Sequence, residues 1–184
     1  MQIVFLDTLE TILLDIVAWV IFHLGIGYAS SKIPLERLNP DLRFFQAYKW
    51  EKNGMIYEKL FHVRSWKNLI PNGSALYGDG FSIKNLATDD VAYLYRWLKE
   101  SIRSEVCHWA MIVPGFFFFL WNNVVVGWIM VAYAFLNNLV PIIMQRFNRP
   151  RMRRLLAQIE KKNLQKGEFP IIHAPQEAFS PSYK

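Results

Sequence analysis

The chain has little cysteine, and its positive charge is missing from two long stretches. Cys107 is the only cysteine among 184 residues, so no disulfide can close within the chain. Reactive-thiol chemistry would rest on that one residue, and its place beside a helix start suits a small packing residue better. Lysine and arginine are absent from residues 1–31 and 104–145, and all 21 of them lie in 32–103 and 146–184. Within the second gap, residues 106–144 hold 39 positions without any Lys, Arg, Asp or Glu. Other absences narrow the chemistry. There is no Walker loop and no Gly-rich dinucleotide fingerprint. No His is followed five residues later by Asp, as in the soluble acyltransferase box. Glu105, Cys107 and His108 have no recognised zinc-ligand spacing, so no metal is expected. No repeat or low-complexity segment is visible.

What is present is apolar and basic. Hydrophobic residues make up 53% and aromatics 16%, which excludes a disordered chain. The net charge is +6 and the pI about 9.5. These basic residues flank the apolar stretches and no RNA or DNA motif accompanies them, so anionic lipid headgroups are the expected partner and nucleic acid is not. Apolar runs free of Lys and Arg, with basic segments between, form the pattern of a cell-membrane protein whose basic segments face the cytoplasm.

The expected fold is therefore an all-α membrane protein, a single domain with about three spans. Residues 12–29 form an 18-residue apolar run, about 27 Å as a helix, which is just enough to cross. A cleaved signal peptide competes with this reading, but it would need a basic start where Asp7 and Glu10 stand. Residues 106–144 are too long for one ordinary span. Asn122-Asn123 predicts a turn, dividing them into spans over 106–121 and 124–144. Pro114 and Pro141 are expected to bend their helices.

Residues 30–105 carry 12 Lys/Arg and 9 Asp/Glu and form the expected cytoplasmic loop. Within it, 44–63 reads as one or two amphipathic helices, lying on the membrane or partly entering it. Asn72-Gly73 and Gly78-Asp79-Gly80 mark turns. Thr88-Asp89-Asp90 marks the start of a helix that can continue into the second span. In the tail, 146–184, a basic helix is expected over 151–166 and irregular chain beyond. The charge pattern puts the N-terminus outside and the C-terminus in the cytoplasm, as a multi-pass arrangement requires.

Polar residues inside apolar spans are costly and point to function. Glu105 and His108 lie three residues apart on one helical face. Asn138, Pro141, Gln145 and Asn148/Arg149 form a second stripe. An antiparallel hairpin would bring His108 and Gln145 to one cytoplasmic depth, with Asn138 about 10 Å deeper. Such a set suits acyl transfer. His108 would take a proton from an attacking hydroxyl and Glu105 would orient it. The amides of Asn138, Gln145 and Asn148, or the guanidinium of Arg149, would stabilise an oxyanion. Arg146, Arg151 and their basic neighbours through Arg154 would hold the phosphates of an acyl donor. The bland reading is that the amides bridge helices and the arginines bind headgroups.

Three stretches resemble one family: Tyr57-Glu58-Lys59-Leu60-Phe61-His62-Val63-Arg64-Ser65-Trp66-Lys67; Arg103-Ser104-Glu105-Val106-Cys107-His108-Trp109; and the segment from Asn138 to Arg151 with Gln145-Arg146-Phe147-Asn148-Arg149-Pro150-Arg151 as its most specific part. Their order and spacing are similar to the glycosyl-4,4'-diaponeurosporenoate acyltransferase family, over roughly residues 49–162. The resemblance implies a small integral membrane enzyme of carotenoid biosynthesis. It would esterify a sugar hydroxyl of a glycosylated lipid, a carotenoid glycoside or similar glycolipid, with a fatty acyl chain. It also implies an acyl donor, acyl-CoA or another, as co-substrate with no bound cofactor, and it adds Arg64, Trp66 and Lys67 as candidates from the loop. Two other classes stay open on the residues alone: a non-catalytic lipid-binding scaffold of a lipid pathway, and another small membrane enzyme with a phosphate-bearing cofactor. The sequence carries no sign of oligomeric state.

Overall fold

A computed structural model of the chain describes residues 2–70 and 90–167. The turns expected at Asn72-Gly73 and Gly78-Asp79-Gly80, the cap residues Thr88 and Asp89, and the irregular tail from Glu168 lie outside the described residues. Among the described residues every regular element is helical, with no strand.

Helix α1 spans Thr8–Ser31. It begins earlier than the apolar run because Asp7 and Glu10 form a capping box: Asp7 Oδ1 accepts from Glu10 N at 2.8 Å and Glu10 Oε2 accepts from Asp7 N at 3.1 Å. This satisfies two of the donors left free at a helix start. Three single 3-10 segments follow, at Leu35–Arg37, Arg43–Phe45 and Lys49–Gly54, then α2 at Met55–Phe61 and α3 at Val63–Trp66. The amphipathic stretch expected over 44–63 is thus a chain of short pieces. Lys52, Asn53, Gly54 and His62 all adopt left-handed backbone angles, with φ of 48°, 54°, 83° and 50°. Each such residue breaks a right-handed helix.

Helix α4 runs Val91–Ile112 and a 3-10 segment Val113–Leu120 continues it. Asp90 Oδ1 caps α4 by accepting from Ala92 N at 2.9 Å. The second apolar segment is therefore not a separate helix over 106–121. Its first seven residues end α4, and Pro114 sits in the first turn of the 3-10 segment, where a missing N–H costs nothing. The turn at Asn122-Asn123 is present, and Asn123 Oδ1 caps the next helix by accepting from Val126 N at 3.0 Å. Helix α5 spans Val124–Gln165, 42 residues without interruption. The third apolar segment and the basic helix expected from 151 are thus one element, about 63 Å long at the α-helical rise.

The chain divides into two compact units. The apolar unit comprises Met1–Ile33 and Arg103–Ile143. Its packing is aromatic: Trp19 stacks on Phe118 at 4.6 Å between ring centroids, and Phe118 tilts on Trp121 at 5.1 Å. Gly115 lies against α5, where an added Cβ would come 3.1 Å from Ala134 Cβ; small residues permit such close backbone approach between apolar helices. Asp15, only 8% exposed, accepts from Trp121 Nε1 at 2.7 Å and from Asn122 Nδ2 at 2.8 Å.

The basic unit comprises Pro34–Ile102 and Met144–Lys184. Leu94, Trp97, Leu98 and Leu156 form its apolar core, with Met152, Leu155 and Ile159 packed on it.

Helices α1 and α5 are long and apolar enough to cross a membrane. Only 17% of the apolar window of α1 and 28% of that of α5 is buried. A core helix of a soluble protein would be mostly buried, whereas α1 exposes Leu9, Ile12, Leu13, Ile16, Val17, Val20, Ile21 and Leu24.

Candidate active site

In the apolar unit, His108 on α4 and Asn138 on α5 meet: His108 Nδ1 lies 2.9 Å from Asn138 Oδ1. Asn138 is 2% exposed, and its Nδ2 donates to Ala134 O at 2.8 Å. The carbonyl at 134 can only accept, so the amide nitrogen must face it and the amide oxygen must face His108. His108 Nδ1 then carries the proton, and Nε2 is left as the basic nitrogen. The half-buried ring is held in one tautomer and one orientation, as a general base requires. The partner at Nδ1 is Asn138, in the position that the sequence reading gave to Glu105. Glu105, also buried on α4, accepts from Trp109 Nε1 at 3.3 Å.

The other expected residues lie in the basic unit, where they group around two centres. The first is Glu51, 1% exposed. Its Oε1 accepts from Tyr57 Oη at 2.5 Å and from Arg146 Nη1 at 3.0 Å, and its Oε2 accepts from Tyr48 N at 2.6 Å. Arg146 also donates to Phe44 O at 2.9 Å and faces the rings of Phe44 and Tyr48. Arg149, 2% exposed, donates through Nε to Ser101 Oγ at 3.2 Å, through Nη2 to Ser101 O at 3.1 Å and through Nη1 to Phe45 O at 3.2 Å.

The second centre is Phe147. The Arg151 guanidinium lies 3.6 Å from its ring centroid and Lys67 Nζ 5.8 Å. Arg151 also donates to Phe147 O at 3.2 Å. Burial, followed by the charges of Arg64 and Arg154, pulls its pKa below the usual arginine value, while Glu58 opposes this. Arg64 N donates to Glu58 Oε2 at 3.0 Å and Trp66 Nε1 to Phe61 O at 2.7 Å. Gln145 is buried; Asn148 is half-buried and, among the described residues, joins none of these bonds.

Gly54 makes the Glu51–Arg146 arrangement possible. Its φ is +83°, and a Cβ there would come 2.9 Å from Phe147 O and 3.1 Å from Arg146 O. The loop can therefore back directly onto α5 beside Pro150, whose ring removes the N–H that would otherwise bond the Arg146 carbonyl.

Glu51, Tyr48, Tyr57, Ser101 and Phe45 are the members that sequence reading missed. Asn53-Gly54 was the available cue, since that dipeptide marks a left-handed turn beside a carboxylate.

The family model for glycosyl-4,4'-diaponeurosporenoate acyltransferase matches residues 41–158. Proteins of that name from Staphylococcus aureus strains MRSA252, Newman and N315 are each 31% identical over 144 residues, covering 78% of this chain and 87% of the relative. No solved structure matches the chain significantly. His108, Asn138, Glu51 and Arg146 all fall inside the matched segment, and with more than half of the chain matched, the protein belongs to the glycosyl-4,4'-diaponeurosporenoate acyltransferase family and its enzyme class is acyl transfer.

Proposed function

We propose that the chain esterifies a sugar hydroxyl of a glycosylated lipid, a carotenoid glycoside or related glycolipid, with a fatty acyl chain. His108 is the general base. The observation that carries this reading is the His108–Asn138–Ala134 chain of hydrogen bonds, which leaves Nε2 as the proton acceptor. In the reaction the sugar oxygen attacks the carbonyl carbon of the donor and a C–O ester bond forms. The hydroxyl proton passes to His108 Nε2. The bond from the carbonyl carbon to the leaving sulfur or oxygen then breaks, and the proton goes to that leaving atom. Acyl-CoA or another activated acyl donor is the co-substrate. Arg64, Trp66, Lys67, Arg146 and Arg151 serve the donor or lipid headgroups, and Gln145, Asn148 and Arg149 belong to substrate binding.

The site lies at the cytoplasmic boundary of the cell membrane, in a three-span chain with the N-terminus outside. The 3-10 segment supports the second span. Residues 106–112 as α-helix and 113–120 as 3-10 helix together cover about 26 Å, because the 3-10 rise is about 2.0 Å per residue. That approaches a hydrocarbon core of about 30 Å, which the same fifteen residues as pure α-helix would undershoot further.

The test is His108→Ala, assayed by mass spectrometry of acylated glycolipid at matched protein abundance. Product should fall by roughly 100-fold or more, the low end of general-base contributions. Product at the wild-type rate from that variant would end the His-base mechanism.

A further inference from the structure

The basic unit contains a cavity of about 320 Å3 walled by Glu51, Asn53, Arg146, Arg149, Arg153 and Arg154. Its size is within the range of small-ligand pockets, roughly 300–1,000 Å3. Arg146, Arg149, Arg153 and Arg154 come from one face of α5, at spacings of three, seven and eight residues from the first. Against these four guanidiniums the wall presents one carboxylate, Glu51. Asp41, outside the wall, takes Arg153 Nη1 at 3.0 Å, and Arg153 Nη2 also bonds Pro40 O. Among the described residues, the wall therefore carries more positive than negative charge.

The guanidiniums also differ in how they are held. Arg146 is fixed by Glu51 and Phe44, and Arg149 by Ser101 and Phe45. Arg154 is an exposed arm. Two fixed guanidiniums with exposed reach beside them suit an oxyanion with several acceptor oxygens. Asn53, within the left-handed Lys52–Asn53–Gly54 turn, also lines the cavity. Left-handed conformations at non-glycine residues are costly and persist where surrounding structure over-determines them. Here Glu51 anchors one side of the turn and Gly54 abuts α5 on the other. A second hollow shares Ala47 and Asn53 with the cavity and adds Arg43, Lys49 and Lys52.

We propose that this cavity binds the phosphate-bearing end of the acyl donor, and that Glu51 is the positioning residue that holds Arg146 in its wall. The proposal rests on the acyl-transfer reading for the identity of its ligand. The shared chemistry is a phosphate ester, which coenzyme A, the phosphopantetheine arm of a carrier protein and a phospholipid headgroup all present.

The experiment uses the full chain in detergent micelles and measures binding by calorimetry. The ligands are coenzyme A, adenosine 3',5'-bisphosphate, holo acyl carrier protein, a short-chain phosphatidylglycerol and phosphate-free pantetheine. At least one phosphate-bearing ligand should bind at least about tenfold more tightly than pantetheine, a difference near 1.4 kcal/mol, and the one that does so names the source. Arg153→Gln combined with Arg154→Gln should lose about tenfold of that affinity. Equal binding of pantetheine, no binding of any phosphate-bearing ligand, or undiminished affinity in the double variant would overturn the proposal. Glu51→Gln should raise the donor KM while leaving the acceptor KM in place; a lowered melting temperature with both KM values unchanged would make Glu51 merely structural. Because binding is read without turnover, a donor that binds but yields no ester retires the acyl-transfer reading and spares the cavity. Ester formed by the double variant at the wild-type donor KM does the reverse.

Discussion

Asn138 is the residue that would orient the imidazole of His108 in the proposed mechanism. Both ends of its amide are engaged, one on His108 and one on Ala134. Replacing it with leucine removes the acceptor at Nδ1 and frees the ring to change tautomer. Asn138→Leu should lower the esterification rate at least about tenfold, but by less than the full general-base contribution of roughly 100–10,000-fold. Steady-state rates at matched protein abundance decide this, and an unchanged rate would remove Asn138 from the mechanism. Gly54 matters for another reason. Gly54→Ala places a Cβ against two α5 carbonyls at a φ of +83°. A stability loss of about 2 kcal/mol or more is expected, read as a lower unfolding midpoint of the full chain in detergent. His108 and Asn138 were legible in the sequence because a polar side chain in an apolar run stands out. Glu51 was not, because it sits in a charge-rich loop and its partner Arg146 lies 95 residues away. Nothing in a local pattern distinguishes a buried carboxylate from its solvated neighbours.

Among the elements, α1 shows how local signals and packing divide the work. Its start follows from the Asp7–Glu10 capping box, a pattern readable from four residues. Its attachment does not. The buried carboxylate of Asp15 holds both the Trp121 indole and the Asn122 amide. Asp15→Leu leaves two donors without their acceptor, at a cost of about 1–3 kcal/mol for each that stays buried. Asp15→Asn keeps an acceptor oxygen and should cost less. Thermal unfolding of the two variants should therefore rank leucine below asparagine, and equal midpoints would mean the tie carries no stability. The two long helices were legible as apolar runs, but the far end of α5 was not. α5 continues past Pro150 although the proline offers no N–H to the Arg146 carbonyl, against which Gly54 lies. The short pieces between Lys49 and Trp66 follow from left-handed residues, where hydrophobic spacing alone suggested longer helices.

At the scale of the whole molecule, the proposed three-span topology makes a direct prediction. A reporter fused after Lys184 should report the cytoplasm, and one inserted between Asn122 and Asn123 should report the outside. A C-terminal reporter found outside would reverse the orientation and move the site to the other face. The sequence by itself determined the helical class, the apolar stretches carried by α1 and α5, the family, and His108 and Asn138 as separate candidates, although it set Asn138 about 10 Å deeper than His108 where the structure joins them. These follow from composition, from hydropathy along the chain and from motif order, all of which are local or additive along the chain. Tertiary structure alone decided which groups touch: Asn138 on the imidazole, Tyr57 and Arg146 on Glu51, Ser101 on Arg149, and four arginines around one cavity. Most of these contacts depend on where segments 30 to 95 positions apart come together, and such a hydrogen bond leaves no periodic trace in the chain.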